Sequence, residues 1–112
     1  MELEVLTDLN TIRTSRFTYD LTTGEIILRS GRRVSLTVGG QHDLVLRAIH
    51  ASAKSFLSNT EIAQAAKSHS SKSKKEVGKQ LIGEISEKLE ITANSDDDIF
   101  KRIRSQGYGL IE

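Results

Sequence analysis

The spacing of apolar residues changes once along this chain, and the change fixes the order in which strands and helices can occur. Over residues 1–37 the apolar side chains tend to recur at every second position. Phe17, Tyr19 and Leu21 alternate with Thr18 and Asp20, the pattern of a strand with one face in a core. Thr22-Thr23-Gly24 has turn chemistry, and Glu25-Ile26-Ile27-Leu28-Arg29 reads as the return strand. Ser30-Gly31-Arg32 supplies a second turn before Val34 and Leu36, again two apart, and Leu3 and Val5 suggest a further strand at the start. Residues 1–37 therefore predict a small antiparallel meander.

Beyond that point the period becomes helical. Leu44, Val45, Ala48, Ile49, Ala53 and Phe56 fall on one face of a first helix. Ser58-Asn59-Thr60-Glu61 is a capping box, in which the hydroxyl and the carboxylate satisfy amides that a helix start leaves unpaired. It predicts a short second helix through Ile62, Ala65 and Ala66, broken by Ser68-His69-Ser70-Ser71-Lys72. A second box, Ser73-Lys74-Lys75-Glu76, opens a third helix with Val77, Leu81, Ile82, Ile85 and Leu89 as its buried stripe. Asn94-Ser95-Asp96-Asp97-Asp98 reads as a solvated loop. The segment from Ile99 to Ile111 then reads as a hairpin turning at Ser105-Gln106-Gly107.

Strands, three helices and a hairpin in that order indicate an α+β domain rather than alternating βαβ units. The expected layout is one domain over residues 1–112, with an N-terminal sheet over 1–37, a three-helix core over 41–90 and a hairpin over 99–111. A helix pair followed by a basic hairpin is the outline of a winged helix-turn-helix.

Composition narrows the functions such a domain can have. Hydrophobic residues make up 37% and charged residues 28% of the chain, which is globular rather than disordered. Without Cys there are no disulfides, thiolate metal sites or cysteine nucleophiles. No apolar run reaches the length of a membrane span, and Met1-Glu2-Leu3-Glu4 is too acidic for a secretory leader, so a cytoplasmic protein is expected. His42, His50 and His69 are scattered without zinc spacing, and Gly39-Gly40 lacks the Lys-Ser/Thr of a phosphate loop. No nucleophile elbow occurs. The expectation is a non-enzyme without cofactor or metal. Phe17, Tyr19, Phe56, Phe100 and Tyr108 fall where the patterns bury them, as core rather than as platforms for stacked bases.

A net charge of +1 means that any affinity for nucleic acid must come from local segregation of charge. Two segments provide it. Lys67, Lys72, Lys74, Lys75 and Lys79 stand against a single Glu76, before and within the first turns of the third helix. There they could grip phosphates and orient that helix. Lys101, Arg102 and Arg104 form the second group; strand alternation puts Arg102 and Arg104 on one face and Lys101 on the other. Gln80 and Gly83 are candidates to face base edges, Gln for its match to adenine and Gly for close approach of backbone. Gln106, in the hairpin turn, is a further candidate to touch DNA.

Three segments, "FTYDLTTGEIILRSGRRVSLT", "FLSNTEI" and "IFKRIRSQGYGLIE", together give the sequence a family likeness. It resembles the DNA-binding domain of the OmpR/PhoB-type regulators, including the ToxR-like branch, over nearly its whole length. The last segment is similar to that family's wing, a basic hairpin closing on Gly-Tyr, with Arg104, Gly107 and Tyr108 in register. The resemblance implies a cytoplasmic, bacterial, sequence-specific regulator of transcription that binds double-stranded DNA. Its third helix would lie in the major groove and its wing at the minor groove, with Lys72, Lys74, Lys75, Lys79, Gln80, Gly83, Arg102, Arg104 and Gln106 touching the duplex. Pairing or tandem binding of copies on DNA is a further expectation.

The third helix departs from the family, which carries Arg or Lys in the second half of this helix. Aligned on Leu89, this chain has Gly83, Glu84, Ser86 and Glu87 at those places. Glu84 would repel phosphate, although a carboxylate can accept from cytosine. The acidic half supports an alternative, a winged-helix module that binds a regulator or an RNA polymerase subunit instead of DNA.

Overall fold

A computed structural model describes residues 11–52, 55–67, 73–93, 95–103 and 106–111, leaving aside the Lys74 side chain. Four strands come first: β1 (Thr11–Arg13), β2 (Phe17–Asp20), β3 (Glu25–Leu28) and β4 (Arg33–Ser35), paired antiparallel in chain order. The registers Ile12↔Tyr19, Tyr19↔Ile26 and Phe17↔Leu28 put these side chains on one face. All five are buried, as period-2 patterning requires. The meander is as expected, with Thr11–Arg13 as an additional strand; Leu3 and Val5 lie outside the described residues.

Helix α1 (Gln41–Ala51) follows and buries Val45, Leu46 and Ile49. It is shorter than the apolar spacing predicts. The Ser52 N–H bonds back to Ile49 O, the Ser52 hydroxyl donates to Phe56 O at 2.8 Å, and Ser55 adopts a positive φ of 65°. The backbone has left the helix there, so Phe56 belongs to a two-residue strand, β5 (Phe56–Leu57). Ala53 lies outside the described residues.

Helix α2 (Asn59–Ala65) starts at the predicted capping box: Ser58 Oγ accepts from the Glu61 N–H at 3.2 Å, and Glu61 Oε1 accepts from the Ser58 N–H at 3.0 Å. Helix α3 (Lys74–Leu89) starts where the Ser73 hydroxyl accepts from the Glu76 N–H. It buries Val77, Leu81, Ile82, Ile85 and Leu89, the whole expected stripe. The two helices approach closely at Gly78, where a methyl group would collide with the Asn59 backbone.

The hairpin consists of β6 (Phe100–Ile103) and β7 (Gly107–Leu110), and β5 adds to the far side of β7 to make a three-stranded sheet. Gly107 carries a φ of 145° against the Leu57 carbonyl, a place and conformation that no L side chain fits. One hydrophobic cluster joins both sheets to all three helices, from Phe17 and Tyr19 through Ile49, Ile62 and Ile85 to Phe100 and Leu110.

Candidate nucleic-acid interface

Helix α3 is buried on one side and open on the other. Lys75, Glu76, Lys79, Gln80, Gly83, Glu87 and Lys88 are exposed, and Glu84 is half-buried. Ser86, which the family alignment places on the outward side, is buried, and its hydroxyl meets Arg102 of β6 at 3.5 Å. Lys79 and Ser86 are about two turns apart, so they share an edge of α3, and Lys75 lies one turn further back on it. The hairpin therefore flanks the edge that carries these lysines. On the other edge, His42 from the first turn of α1 meets Glu84, with Nε2 to Oε1 at 3.1 Å. The open face of α3 lies between the hairpin and the start of α1.

On the hairpin, Arg102 is half-buried and held inward. Its Nε donates to Asp98 Oδ2 at 2.9 Å, and its guanidinium lies 5.7 Å from the ring centroid of Tyr108, its partner across the strands. Asp98 is fully buried and also accepts from the Phe100 N–H at 3.0 Å. The expected solvated loop is thus only partly so: Asp96 and Asp97 are exposed, while Asp98 anchors the hairpin base. Lys101 points the opposite way and is exposed, as is Gln106 at the turn. Of the residues expected to touch DNA, Lys75, Lys79, Gln80, Gly83 and Gln106 are exposed. Lys72, the Lys74 side chain and Arg104 lie outside the described residues.

Two clusters had no reading in the sequence. In the first, Glu84 accepts from His42 on one oxygen and from Gln80 Nε2 on the other, at 3.1 Å each. The Gln80–Glu84 spacing of one helical turn is readable as a pair, but nothing ties His42 to it. In the second, the buried Asp43 carboxylate accepts from the Tyr19 hydroxyl, from the Gly39 N–H at 2.8 Å and from Arg47 Nε at 2.9 Å. Burial alone would raise the pKa of Asp43, but these donors hold it below the usual carboxylate range. Burial and the bond to Asp43 push the Tyr19 hydroxyl far above the usual phenol range. Arg47 also donates to Leu21 O, so this network joins β2 to α1 and fixes where the first turn of α1 stands. His50 is exposed in the last turn of α1.

Among the described residues no group of three or more His, Asp or Glu gathers to hold a metal ion. No helix there is long and apolar enough to cross a membrane.

Solved structures match this arrangement of sheet, helices and hairpin. The DNA-binding domain of CadC from E. coli superposes with a TM-score of 0.64 at 19% identity, over 91% of this chain and 92% of that one. The DNA-binding domain of CpxR from E. coli gives 0.61 at 16% identity, over 90% and 95%. The chain has a winged-helix fold. A third match, the RitR C128D mutant, gives 0.66 at 17% identity, over 97% of this chain and 46% of that longer one. No family model matches the sequence, and no curated protein matches it. In winged-helix terms, β6 and β7 are the wing, and α2 and α3 are the helix-turn-helix pair.

Proposed function

We propose that this domain binds double-stranded DNA as a sequence-specific regulator of transcription, with α3 in the major groove and the wing at the adjacent minor groove. The observation that carries the reading is the position of Lys75 and Lys79. Both are exposed, and both lie on the α3 edge that the wing flanks through Arg102 and Ser86. Cations on that edge would meet the phosphates beside the groove that α3 enters, while Gln80 and Gly83 face the bases. Lys72, Lys74 and Arg104 are assigned to the same backbone and minor-groove roles by their places in the sequence. Arg102 sets the attitude of the wing rather than gripping DNA, because its charge is already paired with Asp98.

Neutralising phosphates releases counterions, so binding to a random duplex should weaken linearly in log–log terms as salt rises. The slope is set by the number of phosphates neutralised, at about 0.9 for each. Lys75→Ala and Lys79→Ala should each make it shallower by roughly that amount without lowering the melting temperature. A duplex that is not retained even at low salt would refute the proposal. That outcome favours the second reading, a module that docks on a protein partner such as a regulator or a polymerase subunit. Its supporting observation is the exposed Glu87 and half-buried Glu84 on the same outward face.

A further inference from the structure

We infer that Glu84 selects cytosine: its carboxylate, braced by His42 and Gln80, accepts a hydrogen bond from the N4 amino group of a cytosine in the major groove. This rests on the DNA-binding reading and specifies which base pair the domain requires. A carboxylate on a helix that faces DNA opposes affinity, because the phosphates repel it. It is kept in one orientation nonetheless. Oε1 accepts from His42 Nε2 and Oε2 from Gln80 Nε2, each at 3.1 Å, with 43% of the Glu84 side chain still exposed. A carboxylate only accepts, so the proton on His42 sits on Nε2 and the amide nitrogen of Gln80 points toward Glu84. The rotamer of Glu84 is thus set before any ligand arrives.

Each carboxylate oxygen can accept more than one bond, so these donors do not exhaust Glu84 as an acceptor. The major groove offers it two kinds of base donor, cytosine N4 and adenine N6. Adenine presents the N7 acceptor beside its amino group, and guanine and thymine present acceptors at the corresponding edge, all repelling a carboxylate. Cytosine alone presents an amino donor without an adjacent acceptor on its own edge. His42 is a positioning residue in this scheme.

The test is selection from randomised duplexes by the intact chain, followed by affinity measurements on the selected site. The wild type should enrich cytosine at one position, and replacing that pair should weaken binding about tenfold, a typical cost for one mismatched pair. Glu84→Ala should erase discrimination at that position alone while strengthening binding to random DNA, since a repulsive charge is gone. A structural strut would not produce that pair of effects. Glu84→Gln, which keeps the size and the helix spacing, should also lose the cytosine preference. His42→Ala should blunt the preference, and His42→Gln, which restores an N–H donor, should recover it. Unchanged base preferences in Glu84→Ala and Glu84→Gln, alongside normal binding by the wild type, would overturn the assignment of Glu84 and leave DNA binding standing. A wild type that retains no duplex would overturn both.

Discussion

Asp43 is buried to 1% exposure, yet it stays ionised because donors from three separate places converge on it. The i, i+4 spacing of Asp43 and Arg47 on α1 is visible in the sequence. Tyr19 is 24 residues away, and its alternation on β2 speaks only for burial, so the bond between them had no sequence signature. The network makes stability depend on pH at both ends. For Asp43 the folded-state value is depressed, so its contribution is present above the unfolded value of about 4 and is lost as pH falls through the folded value. For Tyr19 the folded-state value is raised. Its contribution is intact below the unfolded value of about 10 and declines as pH rises beyond it toward the folded value. Urea unfolding across pH should therefore show a plateau that falls away in acid and in alkali. Tyr19→Phe should lower the plateau by about 1–3 kcal/mol, the cost of leaving a charged acceptor short of a donor, and flatten the alkaline limb. An alkaline limb that survives in Tyr19→Phe would have another source.

At the scale of elements, α3 contains two glycines that helix propensity treats alike and the fold treats as opposites. The helical pattern gives either one a cost of about 1 kcal/mol relative to Ala. Sequence reasoning favours Gly83 for close approach to DNA, and open space does surround it on the outward face. Gly78 is buried where α3 crosses α2, and a methyl group there would strike the carbonyl and Cα of Asn59. Gly78→Ala should therefore destabilise the domain by about 1–3 kcal/mol, as overpacking at a backbone approach does. Gly83→Ala should stabilise it by up to about 1 kcal/mol through helix propensity. Thermal melting of the two variants decides the matter, and shifts of the same sign would contradict the assigned helix crossing. The caps of α2 and the stripe of α3 were legible because they are local and periodic. The end of α1 was not, because Phe56 keeps helical spacing with Ile49 while the backbone turns between them and feeds β5 to the wing. A pairing of Phe56 with Gly109 depends on where the wing lands, which no local pattern encodes.

For the whole molecule, the N-terminal sheet and the sheet that β5 forms with the wing are not independent units. The switch of apolar period announced the first, the hairpin segment the second, and the single hydrophobic cluster runs through both. Polar bonds add a second tie. Arg16 donates to the carbonyls of Ser95, Asp96 and Asp98, Arg29 to that of Asp96 at 3.0 Å, and Arg32 pairs with Glu90 at the end of α3. The Arg16 and Arg29 targets are backbone oxygens, so the sequence offered no complementary charges to find. Arg16 is half-buried, and Arg29 and Arg32, though exposed, are engaged by these bonds; among the described residues Lys75 and Lys79 of α3 and Lys101 of the wing are exposed. The consequence for stability is that the N-terminal sheet should open together with the helices. Native-state hydrogen exchange should give amides of β2, β3 and α3 the same opening free energy, as members of one cooperative unit do. Arg16→Ala should lower that shared value by about 1–3 kcal/mol through the carbonyls it leaves short of a donor. Protection that falls in β2 and β3 while α3 holds its own would mean that the sheet is an appendage, and that the attitude of the wing owes nothing to it.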